Sequence, residues 1–146
     1  MRRNIINYQI IVFFTSFIAV VINLIASTHF IALTFAGVVF YASLICFQKK
    51  LYYSLFFVLV AFLVIETTQG LKPFSLILIS FILYSIILPI VKRFFSVDEI
   101  NKIIDVVLFY ILVTIIYYIS NGYLFIDIVY LLLNIVIDIA IVGLFL

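Results

Sequence analysis

Six apolar runs, each near the length of a membrane-crossing helix, fill most of this chain and leave little room for any other structure. They cover residues 10–26, 30–47, 51–65, 74–91, 103–119 and 123–146. A bilayer core about 30 Å thick needs roughly 17 to 25 apolar residues per helix. A membrane barrel would instead alternate polar and apolar residues along strands of about ten residues, and these runs do not alternate. The expected fold is therefore an all-α integral membrane protein, a bundle of about six transmembrane helices forming one domain over residues 1–146.

Composition supports lipid as the surrounding solvent. Of 146 residues, 69% are hydrophobic and 10% are charged, whereas soluble domains carry about a quarter charged residues. A chain this small cannot hide so much apolar surface in one core, because a small domain leaves much of itself exposed. The net charge of +2 and the absence of a basic run longer than two residues argue against a nucleic-acid partner. Cys46 is the only cysteine and His29 the only histidine, so no disulfide framework, metal site or cofactor is expected. Cys46 reads as a small packing residue and His29 as a turn residue. The opening Met1-Arg2-Arg3 and its apolar sequel have the outline of a signal peptide. Leu24 stands where cleavage after Ala26 would want a small residue, and further spans follow, so a retained first span is expected.

The short loops set an orientation. Arg2, Arg3, Lys49, Lys50, Lys92, Arg93 and Lys102 fall on one side, and Lys72 alone on the other. Positive residues stay in the cytoplasm, so both termini are expected inside. Tyr52, Tyr53, Tyr117, Tyr118 and Tyr123 flank span ends, where amphipathic rings favour the interface. Ser96-Val97-Asp98-Glu99 has the spacing of a capping box, and Lys102 lies one turn from both Asp98 and Asp105. These charges read as the solvated start of the fifth helix, with Asp105 near the headgroups.

Polar groups within the apolar runs are the informative ones. Asp127, Asn134 and Asp138 fall at i, i+7 and i+11, which places them within about 40° of one another around a helix. An ionisable group near the bilayer centre costs at least about 2.5 kcal/mol, so this stripe must face the bundle, a partner or water. No Lys or Arg lies within the runs, which leaves Asp138 a proton, Asn134, Asn23 or the inner interface as company. Packing between helices, a proton or cation path and a substrate-facing wall are the three readings. Glu66 to Pro73 forms the other feature. Gly70 and Pro73 mark a tight turn, with Glu66 at the membrane boundary and Lys72 as a neighbouring cation. The glycines at 37, 70, 122 and 143 make neither a phosphate cradle nor a Gly-x-x-x-Gly pair.

That turn resembles the MreD family of small bacterial rod-shape-determining membrane proteins. The family pattern is roughly Asp-x-x-x-Gly-x-x-x-Gly, followed by a span with a Tyr partway along. Glu66 and Gly70 occupy the first two positions and Tyr84 falls about where the Tyr would lie, but Phe74 stands in place of the second Gly. The likeness covers about 20 residues, and chain length, span count and orientation agree with it. It implies a non-enzymatic scaffold of the cell-elongation and peptidoglycan-synthesis machinery, placed in the bacterial inner membrane. Its partners would be a single-span MreC-like protein, the cell-wall synthase complex and membrane lipids. Glu66, Gly70, Asp127, Asn134 and Asp138 are the candidate partner- or ligand-facing residues. The family fold is similar to the S components of energy-coupling-factor transporters, so the alternative is a vitamin-binding transport subunit. A lipid-modifying enzyme would want clustered acids, His or Arg, which the sequence lacks.

Overall fold

Each apolar run became a helix in the computed structural model, which describes residues 2–28, 35–93, 98–121 and 128–145. Among these there are six helices and no strand: α1 (Arg2–Ser27), α2 (Ala36–Lys49), α3 (Tyr52–Thr68), α4 (Ser75–Val91), α5 (Asp98–Asn121) and α6 (Ile128–Phe145). Two of them hold stretches long and apolar enough to cross a membrane by length and composition, Asn7–Ser27 in α1 and Ile100–Ile119 in α5. The other four are shorter apolar helices.

The bundle is built around α2, which packs against all five other helices. Ten of its 14 residues are buried, and several are small: Ala36, Gly37, Ala42, Ser43 and Cys46. Small side chains let neighbouring backbones approach closely, so one short helix can serve five partners. Phe40 fills the centre, stacked on Phe109 of α5 with ring centroids 4.5 Å apart, and Phe62 of α3 completes the cluster. The outward faces carry large apolar residues instead, among them Phe14 and Phe17 on α1, Phe56 on α3, Phe81 on α4, Ile115 on α5 and Leu132 on α6. Several polar groups are inside: Asn23, Ser43, Glu66, Ser80, Asn134 and Asp138 are all buried. This distribution is the reverse of a soluble domain's, in which buried polar groups are few and charged ones face water.

Two helix boundaries have a local cause the apolar pattern did not reveal. α3 continues through Glu66, Thr67 and Thr68 before it stops, so the polar residues read above as a turn are its last helical residues. The stop is Gly70, whose φ of +66° is open to a residue without a β-carbon. The Leu71 N–H then bonds back to the Glu66 carbonyl at 3.0 Å, the closure of a Schellman motif. In α4, Leu83–Ile87 widens into a π-helical segment just ahead of Pro89. Proline lacks an N–H and its ring crowds the carbonyl four residues back, at Ser85. The wider turn accommodates both.

Candidate functional site

Two carboxylates organise the interior, and each is spent on the first turn of another helix. An α-helix begins with unbonded N–H groups, which an apolar bundle cannot leave bare. α2 begins just after Phe35, at φ 60°. Asp138, in the middle of α6, reaches across to it: Oδ2 accepts the Gly37 N–H at 2.8 Å and the Tyr110 hydroxyl at 2.6 Å. Tyr110 lies midway along α5, so three helices meet at one oxygen. Asp138 and Tyr110 are both fully buried. Negative charge near a helix N-terminus is favourable on dipole grounds as well.

Glu66 repeats the arrangement at the start of α4. That helix follows Phe74, at φ 69°, and the carboxylate accepts the Phe74 N–H on Oε2 at 2.7 Å and the Leu76 N–H on Oε1 at 2.5 Å. The Gly70 turn is what lets α3 deliver a side chain to the beginning of its own successor. Lys72 is not the partner. The buried carboxylate bonds to two backbone amides a few residues further on, and Lys72 is exposed.

The remaining sequence candidates divide. Asn134 is buried on the same side of α6 as Asp138, one turn away. These two therefore turn into the bundle, while Asp127 lies outside the described residues, as do His29, Ser96 and Gly122. Asp138 takes the Tyr110 hydroxyl and the Gly37 N–H as partners, neither of which the stripe suggested. Asn23 serves a different joint, accepting the Thr68 hydroxyl at 2.9 Å between α1 and α3. Gly70 faces open space, with nothing within 4 Å of where a β-carbon would stand.

Asp105 corrects the sequence expectation. It is buried rather than solvated, and its cation is Lys92 at 3.0 Å, not Lys102 one turn back. Lys92 ends α4, and the pair ties that end to the first turns of α5. Nearby sequence spacing favoured Lys102, but helix packing brought Lys92 closer. Lys49, at the end of α2, lies over the Tyr8 ring of α1, 2.8 Å from its centroid.

Chemically, the arrangement fastens helices. Among the described residues no three His, Cys, Asp or Glu side chains gather around a possible metal position. Most of the hollow spaces are apolar, although one between α5 and α6 has Lys102 in its wall. One of about 300 Å³ lies between α2, α3 and α4, with Ser43, Phe62, Phe74 and Ser80 in its walls. Both serine hydroxyls donate to carbonyls of their own helices, Phe40 and Leu76, and so offer no free donor to the cavity. Tyr110 and Gly37 are the residues that sequence reasoning did not connect with Asp138. The aromatic hydroxyl in mid-helix and the glycine in a small-residue helix were the only available signals. No family model, curated protein or solved structure matches this chain.

Proposed function

We propose that this chain is a six-span protein of a bacterial cytoplasmic membrane, both termini inside, and that it works as a scaffold without turnover of its own. The observation that carries the reading is the use of Glu66 and Asp138. Both are fully buried and both hold backbone N–H groups, so the two acids serve the bundle's own architecture. In hydrocarbon every backbone polar group must be satisfied internally, and carboxylates that cap helix starts meet that need. The outward faces, rich in Phe, Ile and Leu, suit lipid and the helices of other membrane proteins. At about 1.5 Å per residue, the 14 residues of α2 span about 21 Å. That is short of a bilayer core, and a helix start inside the bundle accounts for the carboxylate it requires.

With the resemblance at Glu66, Gly70 and Tyr84, the machinery we assign is that of cell elongation and peptidoglycan synthesis. An MreC-like single-span protein and a cell-wall synthase are the partners. Gentle detergent extraction of the tagged protein, followed by mass spectrometry, tests this. Co-recovery of a periplasmic coiled-coil protein and a cell-wall polymerase is the expected result. A paired ATPase module in their place would establish the alternative, a vitamin-binding transport subunit. The observation that favours that alternative is the cavity of about 300 Å³ behind Phe74, at the lower end of the range for small-molecule sites.

A further inference from the structure

Lysines and arginines at a membrane surface extend their charged heads into water. Among the described side chains Lys49, Lys50, Lys72 and Arg93 are exposed, and Lys92 and Lys102 are half-buried. Lys92 has its acid in Asp105, the one ion pair among the described residues. Lys102 has no such partner among them. The Asp98 side chain, one turn before it, lies outside the described ones. A cation drawn back from water is costly unless an anion comes to it.

Lys102 stands in the wall of a hollow of about 300 Å³ on the seam of α5 and α6, with Ile103, Ile139, Val142 and Gly143. It is the only charged residue of that lining. The seam is open at Gly143, where nothing lies within 4 Å of the place a β-carbon would take. Ile103, beside the lysine, is exposed on the outward face. Lys102 also falls near the start of the apolar stretch Ile100–Ile119, so the cation sits at headgroup level and the apolar walls lie deeper. A soluble anion would meet Lys102 and leave those walls bare. An acyl chain by itself would cover the walls and leave the charge unmet. An anionic phospholipid does both. On the proposed topology this end is cytoplasmic, the leaflet in which anionic lipids gather, and basic pockets between membrane helices on that side bind their headgroups.

We infer that the α5–α6 seam binds an anionic phospholipid, its phosphate on the Lys102 ammonium and an acyl chain along Ile103 and Ile139. This goes beyond the scaffold reading and needs only the membrane placement, so loss of the proposed protein partners would leave it standing. In the test, the full chain in mild detergent is titrated with phosphatidylglycerol or phosphatidylcholine, and bound lipid is counted by native mass spectrometry. Phosphatidylcholine carries the same phosphate with a compensating cation. Phosphatidylglycerol should bind saturably and be retained over phosphatidylcholine by about fivefold, the worth of one lysine near a headgroup. Lys102→Gln should lose about that factor, and Lys102→Arg should keep it. Gly143→Leu, which fills the open side of the hollow, should block retention while the unfolding midpoint in lipid-free detergent stays level. Lys50→Gln, at an exposed cation of the same membrane side, should change little. Equal retention of the two lipids would overturn the inference, as would full retention by Gly143→Leu. So would an unchanged Lys102→Gln, the result expected if Asp98 already neutralises the lysine. A loss in Lys50→Gln equal to that in Lys102→Gln would reduce the effect to general surface attraction and overturn it too. Displacement of the lipid by inorganic phosphate would make the site one for a soluble anion, against the inference.

Discussion

A β-carbon on Gly37 would stand 2.6 Å from Oδ2 of Asp138, so the glycine is what allows the carboxylate to reach the start of α2. The same β-carbon would meet the Tyr110 ring at 2.9 Å. Both neighbours are buried and bonded to each other, and neither can yield without breaking that bond. Gly37→Ala is therefore expected to destabilise the protein by about 2 kcal/mol, within the usual range for overpacking. Gly143→Ala, with nothing within 4 Å, should be neutral or slightly stabilising, since Ala favours helix over Gly. Thermal unfolding in detergent, followed by tyrosine fluorescence, separates the two.

Asp138→Leu removes the acceptor for two buried donors, the Gly37 N–H and the Tyr110 hydroxyl. Each orphaned donor costs about 1–3 kcal/mol, so folded-state stability and assembly should fall. Membrane insertion should hold or improve, because a leucine enters lipid more readily than an aspartate. Asp138→Lys should be worse on both counts, since it sets a cation against the positive end of the α2 dipole. Asp138→Asn keeps an acceptor oxygen and should be the mildest of the three. A double-mutant cycle with Tyr110→Phe should show a coupling of about 1 kcal/mol. Zero coupling would mean that the hydroxyl contributes nothing to the joint.

At the α3–α4 turn the expectation rests on backbone alone. Gly70 has open space around it but a φ of +66°. Gly70→Val should cost about 1–2 kcal/mol, because a β-branched residue resists the left-handed region. Gly70→Asn, which tolerates that region, should behave nearly as wild type. Equal losses in both would locate the problem in a lost contact rather than in φ.

Lys92 and Asp105 form an ion pair in which the acid is buried and the lysine a third exposed. Lys92→Met leaves the carboxylate without its cation, and discounting for the lysine's exposure gives a loss of about 1–2 kcal/mol. Adding Asp105→Leu should recover most of it, because a well-packed apolar pair can replace a buried ionic one. Unfolding midpoints of the two single variants and the double variant decide the matter.

How far this arrangement could be read in the sequence differs from residue to residue. The six helices followed from unbroken apolar runs, and the inward turn of Asn134 and Asp138 followed from helical spacing and the cost of a carboxylate facing lipid. Their partners could not be read that way. Asp138 and Gly37 are 101 residues apart, and periodicity describes which face a residue occupies, not what stands opposite. Glu66 was visible as an acid at a turn, but its reach to Phe74 and Leu76 depends on the Schellman closure at Gly70. Lys92 displaced Lys102 as the cation of Asp105 for a similar reason: spacing along one helix ranks only neighbours within that helix. The central place of α2 had a signal in its run of small residues, and Pro89 was a signal for the irregular turn in α4.

Every functional statement above depends on six spans with inward termini, and cysteine accessibility in intact cells tests that most directly. In a Cys46→Ser background, single cysteines replacing Ser27, Gln69 or Asn121 should react with a membrane-impermeant maleimide added from outside. Cysteines replacing Gln48 or Ser96 should react only after the membrane is opened. Labelling of the Gln48 position from outside, or protection of the Gln69 position, would contradict the account.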